Sequence, residues 1–138
     1  MIEHLLEVPL VHEISSAAGD TQTLQLYLLL VDMSMFKENE YNYIFDRGCF
    51  HVLDPSDRLT YVREIKRILK EDGTLFLKCF SINEKREEGP YRFSKRQISE
   101  IFEKESFKVT KIKDTVYQGT LDPLPAALFV VIKNSKKR

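Results

Sequence analysis

The chain has 138 residues, of which 43% are hydrophobic and 30% are charged, and its formal net charge is zero. This length predicts about one domain, with a core that needs no metal or disulfide. The charge balance argues against a dedicated nucleic-acid-binding protein, which usually carries a basic excess. No metal-ligand spacing links Cys49 and Cys79, so we expect two buried, reduced cysteines in a cytoplasmic protein. The apolar run at 26–31 is too short to span a bilayer.

The first forty residues are irregular in pattern. Residues 1–14 are compatible with a short helix that Pro9 interrupts, and residues 15–20 have the composition of a loop. Residues 24–31 are apolar and end at Asp32. Their β-branched end favours a strand, although their leucines would serve a helix equally well.

A strand–helix–strand unit follows. Residues 43–45 form an apolar run without polar alternation, as in a parallel strand covered on both faces. Asp54 and Pro55 are typical of a helix start, and Gly73 is expected to close the helix region before a strand at 74–80. The apolar positions at helical spacing are Leu59, Val62, Ile65 and Leu69. Such a unit predicts a right-handed parallel crossover.

The last third of the sequence predicts a loop, a helix and a hairpin. Residues 83–92 are charged and contain Gly-Pro, which indicates a loop. Ser94 and Gln97 have the spacing of a capping box at the start of a helix that ends near Lys104. The strands predicted at 107–117 and 127–133 are joined by a short turn-rich link, so they must be antiparallel.

Four segments together resemble one enzyme family. They are "FDRGCFHVL", "LKEDGTLFLKCFS", "GPYRFSKRQISEIF" and "DTVYQGTLDPLPAALFVV". Their order is similar to that of the second half of class I S-adenosylmethionine-dependent methyltransferases, in the branch of the thiopurine and tellurite-resistance enzymes. The resemblance covers residues 30–133. It implies an α/β fold with a partial Rossmann-like sheet, mostly parallel with a C-terminal antiparallel hairpin, and helices on its faces.

The resemblance also implies cofactor contacts. Ligands of such sheets bind outside the carboxyl ends of the parallel strands. Asp32 resembles the acid that receives the adenine amino group, with Met33 stacking nearby. Asp46 and Gly48 resemble the edge beside the sulfonium, where glycine allows close approach of the backbone. S-adenosylmethionine is therefore the implied cofactor.

On the substrate side, the resemblance implies that Arg47 orients an anionic or soft nucleophile and that Phe50 and His51 begin the substrate wall. Tyr91 and Arg92 either line the substrate side or only hold the loop. Without the resemblance, a local ion pair of Asp46 with Arg47 and a packed His51 are the simpler interpretations. Methyl transfer needs little acid–base help, so we predict no catalytic acid or base and no metal.

The sequence contains no Gly-x-Gly turn, which the family uses to hold the cofactor. We therefore expect a single domain, 1–138, that lacks the amino-terminal cofactor-binding half, with an irregular segment at 1–40 and a family-like core at 41–133. The predicted function is methyl transfer to a small molecule. The alternative is a non-catalytic assembly or regulatory module. The open edge of the strand at 43–45 could be paired by residues 24–31 or by a second chain. Because only a second chain would also bury the helical faces left bare by the missing half, we predict a homodimer.

Overall fold

The structure, a computed structural model, describes residues 13–15, 22–26, 33 and 36–135. Within these residues, six strands and two α-helices are formed. The strands are β1 (Glu13–Ser15), β2 (Gln22–Leu26), β3 (Tyr41–Asp46), β4 (Leu69–Phe80), β5 (Phe107–Val116) and β6 (Ala126–Asn134). The helices are α1 (Arg58–Ile68) and α2 (Lys95–Glu103), and short 3-10 turns lie at Phe50–Val52 and Pro55–Asp57.

The strands form one sheet with the order β1-β2-β3-β4-β6-β5. β2 pairs with β3 and β3 pairs with β4 in parallel, whereas the other three pairings are antiparallel. The α/β class and the C-terminal hairpin are therefore confirmed. The expectation of a mostly parallel sheet is wrong in part, because β1 adds an antiparallel pairing at the far edge.

The neighbour of β3 comes from the amino-terminal segment. Thr23 of β2 is aligned with Tyr43, and Leu26 with Asp46. The strand predicted at 24–31 is thus confirmed only over its first residues, and 27–31 lie outside the described residues. β1 replaces the end of the helix predicted for residues 1–14, whose first twelve residues also lie outside the description. Both edges of β3 are paired.

Both helices pack on the same face of the sheet, which we call the helix face. Its core contains Ile44 of β3 and Leu75 and Leu77 of β4, which pack with Ile65 of α1 and Phe102 of α2. The opposite sheet face carries a separate cluster of Phe45, Phe76 and Phe129, with Val131 beside it. No helix within the described residues is long and apolar enough to cross a membrane.

The buried side of α1 differs from the predicted stripe. Leu59 is 47% exposed, whereas Tyr61 and Ile68 are buried together with the expected Val62 and Ile65. The helix begins at Arg58, after the 3-10 turn at Pro55–Asp57, and it buries the side that packs on β3 and β4. On that side, the Tyr61 hydroxyl reaches Asp46 at the carboxyl end of β3.

Gly73 lies inside β4 and not at the end of the helix. α1 ends at Ile68, and the pairing of β4 with β3 skips from Leu69 to Thr74. A Cβ at Gly73 would lie 2.9 Å from the Lys70 carbonyl oxygen and 3.1 Å from that of Asn42. The glycine is therefore needed for the close approach of two backbones within this irregular part of the strand.

The predictions for the last third are confirmed. Ser94 accepts a hydrogen bond from the backbone N–H of Gln97, whose side chain bonds back to the Ser94 N–H, so the capping box is complete. β5 and β6 form the antiparallel hairpin, and β6 pairs with β4. This arrangement places the ends of β3, β4 and β5 close to the loop that follows β3.

Candidate functional site

The loop at residues 46–51, called the site loop here, leaves the carboxyl end of β3 and is organised by the Asp46 carboxylate. This group is fully buried. It accepts hydrogen bonds from the backbone N–H groups of Gly48 (2.9 Å), Cys49 (2.6 Å) and Phe50 (3.1 Å). A fourth donor is the Tyr61 hydroxyl of α1. These bonds fold the loop back on the strand end.

Opposing effects act on the Asp46 carboxyl. Burial raises the pKa of Asp46 above its ordinary value, and the hydrogen bonds from Tyr61 and from the three backbone N–H groups offset only part of that rise. Burial and the neighbouring carboxylate raise the pKa of Tyr61, so its hydroxyl stays a donor. The four donors match the acceptor capacity of one carboxylate. Asp46 therefore holds the loop with its side chain, and what a ligand meets here is the loop backbone.

His51 connects the site loop to two other elements. Its Nδ1 accepts a hydrogen bond from the Phe80 N–H (2.9 Å), and its carbonyl accepts one from the Tyr91 N–H (2.9 Å). Burial, followed by the positive charges of Arg47 and Arg92, lowers the pKa of His51 to about 4. The imidazole is therefore neutral at neutral pH. Because Nδ1 is an acceptor, the ring proton lies on Nε2.

Gly48 is placed against this imidazole. A Cβ added to Gly48 would lie 3.3 Å from the His51 Nε2. That separation is tight enough that a side chain at residue 48 would displace the ring or the loop. Glycine thus permits the loop and the histidine to pack in contact.

Tyr117, just after β5, receives two cations. The guanidinium carbon of Arg47 lies 5.6 Å from the centre of its ring, and the ammonium nitrogen of Lys78 lies 4.9 Å from it. The Tyr117 hydroxyl donates a hydrogen bond to the Arg47 carbonyl (2.7 Å). His51 and Phe80 pack on the same ring, at 5.9 and 5.6 Å between centroids.

An open depression of about 760 Å³ lies beside the site loop. It is lined by Val52, Asp54, Gly89, Pro90, Tyr91 and Arg92. Tyr91 is 42% exposed in it, and the Arg58 guanidinium carbon lies 5.0 Å from the Tyr91 ring. Arg92 donates to the carbonyls of Pro90 (2.7 Å) and Glu88 (3.0 Å). Arg92 therefore both lines the depression and holds its loop.

The structure brings most of the predicted site residues together and separates others. The residues near the site loop and the depression are Asp46, Arg47, Gly48, His51, Tyr91 and Arg92. Phe50 is fully buried in the helix-face core, packed on Phe93 and Phe102, and contributes its backbone N–H to Asp46.

Met33 lies near the opposite end of β3. Its carbonyl accepts a hydrogen bond from Arg67 (2.9 Å), whose own carbonyl accepts one from Asn39, shortly before β3 begins. The structure therefore does not bring Met33 next to Asp46 and Gly48. Asp32 lies outside the described residues.

The cysteines near the site are buried thiols. Burial, and then the Asp46 carboxylate, raise the pKa of Cys49 and of Cys79 far above the usual range. A thiol that does not ionise is a poor nucleophile, so these groups act as small core residues.

A sequence model of the thiopurine S-methyltransferase family matches residues 3–127. The chain belongs to this family. No curated protein sequence matches the chain significantly. The family places the chain among S-adenosylmethionine-dependent methyltransferases, as the sequence motifs predicted.

Solved structures share the fold. A 1,6-didemethyltoxoflavin-N1-methyltransferase from Burkholderia thailandensis is 18% identical with a TM-score of 0.58, and the match covers 72% of this chain and 46% of that one. A methyltransferase from Methanosarcina mazei is 13% identical with a TM-score of 0.61, and the match covers 74% of this chain and 63% of that one. Phosphoethanolamine N-methyltransferase 2 from Haemonchus contortus is 14% identical with a TM-score of 0.57, and the match covers 73% of this chain and 35% of that one. The chain thus matches 35–63% of the length of these proteins.

Proposed function

We propose that the chain binds the small-molecule substrate of a methyltransferase reaction, and that this substrate presents a soft, anionic nucleophile. The observation that carries the proposal is a pair of cations beside the site loop: the Arg47 guanidinium packs on the Tyr117 ring, and Arg92 lines the depression. Arg47 and Arg92 lie close enough to His51 to help lower its pKa to about 4. Of the two charged residues that line the depression, Arg92 is positive and Asp54 is negative, so an anion would bind at its Arg92 side.

The side chains suit binding and orientation more than proton transfer. His51 stays neutral at neutral pH and offers an Nε2–H donor, so it is a poor general base there. The cations of Arg47 and Lys78 both lie at the ring of Tyr117. These two side chains supply positive charge to the site and not acid–base chemistry. The cofactor of the family supplies an already activated methyl group. An anionic nucleophile that is held and desolvated here needs no base.

Two structural relatives support a small molecule as the substrate. The Burkholderia enzyme was solved with 1,6-didemethyltoxoflavin and S-adenosylhomocysteine, and the Haemonchus enzyme with phosphomonomethylethanolamine and S-adenosylhomocysteine. A depression of about 760 Å³ has the size of a small-molecule site. A cytoplasmic location fits the buried, reduced thiols of Cys49 and Cys79.

For the cofactor, we expect weak binding. Asp46 directs its carboxylate into its own loop, and the sequence has no Gly-x-Gly turn. We expect S-adenosylhomocysteine to bind with a dissociation constant above about 0.1 mM, or −5.5 kcal/mol. Isothermal titration calorimetry measures it. A micromolar constant would show that other parts of the chain, or a partner, supply the grip.

The missing glycine turn also favours a second candidate, a non-catalytic module of this family. A methyltransferase would bind both an anionic nucleophile and S-adenosylhomocysteine, even if the latter binds weakly. A module would bind neither.

The homodimer stays a prediction. β2 pairs with the edge of β3, so the expectation now rests on the faces that the missing half would leave bare and not on an open edge. Analytical ultracentrifugation at tens of micromolar measures the oligomeric state.

A further inference from the structure

Residues 83–92 form a loop whose two ends are joined, and we call it the arginine loop. Ser81 and Phe93, which flank the loop, form a parallel bridge. The Phe93 N–H donates to the Phe80 carbonyl (3.0 Å), and the Ile82 N–H donates to the Phe93 carbonyl (3.1 Å). A loop of this length with adjoining ends is typical of compact surface loops that take part in function.

The two halves of the arginine loop contact different parts of the molecule. Residues 89–92 line the depression beside the site loop, and the Tyr91 N–H donates to the His51 carbonyl. Residues 83–86 lie against the turn between β5 and β6, where both segments line a second depression of about 470 Å³. The arginine loop therefore connects that turn to the candidate substrate site.

The Glu84 carboxylate organises the half of the loop that lies next to this turn. Only 5% of its side chain is exposed. One oxygen accepts a hydrogen bond from the Ala126 N–H (2.9 Å), at the start of β6. The other oxygen accepts from the backbone N–H (3.0 Å) and from the guanidinium (2.8 Å) of Arg86. The bond from Ala126, followed by those from Arg86, holds the pKa of Glu84 below its ordinary value, so the carboxylate is ionised at neutral pH.

Arg86 links the two halves of the arginine loop. Its guanidinium donates to the Pro123 carbonyl of the turn as well as to Glu84. Its own carbonyl accepts a hydrogen bond from the Arg92 guanidinium. Because the Glu84 carboxylate pairs with the Arg86 guanidinium at 2.8 Å, the charge of Arg86 is balanced within the loop. Arg86 therefore serves as a structural link and not as the cation that meets a ligand.

The charge of Arg92 is not balanced in this way. Within the described part of the chain, its hydrogen bonds all go to carbonyl oxygens, those of Arg86, Glu88 (3.0 Å) and Pro90 (2.7 Å). Its guanidinium carbon lies 5.3 Å from the centre of the Phe80 ring. Neutral acceptors orient a guanidinium without cancelling its charge, so Arg92 keeps its positive charge at the wall of the depression.

We propose that Glu84 is the positioning residue for Arg92 and that it acts through Arg86. This inference takes from the proposed function only that Arg92 meets an anionic substrate. The Glu84 carboxylate holds the Arg86 peptide by its N–H, and the carbonyl of the same residue holds Arg92. Without the carboxylate, that carbonyl is no longer fixed. An anion in the depression would then lose a preorganised partner.

A local role for Glu84 is the competing explanation, in which its carboxylate only satisfies the Ala126 N–H at the start of β6. Glu84→Gln separates the two roles. The amide oxygen can still accept from Ala126, whereas a neutral amide forms no ion pair with Arg86. Glu87→Gln is the matched control, because it removes the same charge from an exposed position in the same loop.

Nitrogen relaxation of the Arg92 Nε–H group, whose nitrogen is buried, tests the link without any ligand. We expect an order parameter of about 0.85 in the wild type and in Glu87→Gln, and of about 0.6 or below in Glu84→Gln. Arg86→Met removes the same link from the other side and should give the same loss. An unchanged order parameter in Glu84→Gln, or an equal fall in Glu87→Gln, would overturn the proposal.

Binding of para-nitrothiophenolate, which is ionised at neutral pH, tests the consequence for an anion. By charge alone, removing an acid from the loop should strengthen the binding. We expect Glu84→Gln to weaken it about fivefold instead, because Arg92 loses its position, and Glu87→Gln not to weaken it. In an Arg92→Gln background, Glu84→Gln should cause no further weakening, because both changes act on one group. Calorimetric titrations of the four proteins measure these constants.

Equal weakening by Glu84→Gln in the wild-type and Arg92→Gln backgrounds would overturn the proposal, because Glu84 would then act on the loop in general. Tighter binding in Glu84→Gln would overturn it as well. If the wild type does not bind the thiolate, the proposed function fails, and the order parameter of Arg92 still decides whether Glu84 positions this side chain.

Discussion

At the residue scale, Asp46 couples the end of a strand to the loop that follows it. A buried carboxylate is costly unless its lone pairs are filled, and here three backbone N–H groups and the Tyr61 hydroxyl fill them. The loop geometry is thereby fixed by a group that does not itself face a substrate. Any ligand contact at this edge depends on the precision of that arrangement.

Removing one donor should have a measurable cost. Tyr61→Phe keeps the ring in the core but leaves the Asp46 carboxylate with one hydrogen bond fewer. We expect the free energy of unfolding to fall by about 2 kcal/mol, as for a bond to a charged group. Tyr91→Phe is the control, because that hydroxyl is exposed and lies 3.5 Å from Asp54. Urea titrations that find equal effects for the two variants would contradict the role of Tyr61.

His51 gives the site a pH dependence. Its pKa falls from 6.5 to about 4 on folding, so protonation favours the unfolded chain. Its contribution is complete above pH 6.5 and is lost as the pH falls towards 4, a change of about 3 kcal/mol. His51→Asn retains an acceptor for the Phe80 N–H but does not titrate. The stability of the wild type relative to this variant should fall over that interval, as measured by denaturation at several pH values. A constant difference would contradict the shifted pKa.

Part of this site could be predicted from the sequence. Asp46, Arg47 and Gly48 were identified because two charges and a glycine end an apolar strand. The hydrogen-bond partners of this loop could not be predicted. Tyr61 lies 15 residues from Asp46, and Tyr117 lies 70 residues from Arg47. The only sequence signal for such partners is the tyrosine itself, because a tyrosine hydroxyl that is buried needs a hydrogen-bond partner. Many tyrosines share this signal.

At the element scale, β4 is irregular in its first half and regular in its second. Gly73 lies where the strand approaches the backbone of β3 most closely. Sequence reasoning interpreted this glycine as the end of a helix, because a glycine after a helical stripe is the usual signal for that role. The long-range contact with Asn42, 31 residues earlier, is what decides its actual role.

Gly73→Ala tests this contact. The new Cβ would lie 2.9 Å from the Leu69 Cδ2 and from the Lys70 carbonyl oxygen, and a backbone atom cannot yield cheaply. We expect a loss of about 2 kcal/mol or more in the free energy of unfolding. Gly119→Ala is the matched control, since nothing lies within 4 Å of the added atom. Thermal or urea denaturation of both variants decides the matter. Equal stabilities would show that β4 adjusts freely.

The elements with local signals were predicted well. The capping box of α2 and the β5–β6 hairpin depend on residues close in sequence. The buried side of α1 and the extent of β2 were not predicted, because they depend on how the helix packs on the sheet and on which strand is adjacent. Local chemistry decides caps and turns, whereas packing decides phase and register.

At the scale of the whole molecule, one sheet separates two different surfaces. The helix face forms the main core, and the opposite face holds a second cluster made of Phe45, Phe76 and Phe129. The site loop lies at the carboxyl end of the parallel strands, where Arg47, Lys78 and Tyr117 come together. This placement agrees with the position of ligands in related sheets.

The most direct test of the proposed function is a titration of the isotopically labelled chain with a small aromatic thiolate, followed by amide NMR. We expect saturable shifts of the amides of Gly48, Cys49 and Tyr91 in the wild type. These shifts should be strongly reduced in Arg47→Gln, whose stability should differ by less than about 1 kcal/mol because Arg47 is only partly buried. Absence of shifts in the wild type, or equal shifts in both proteins, would contradict an anion-binding substrate site at this edge of the sheet.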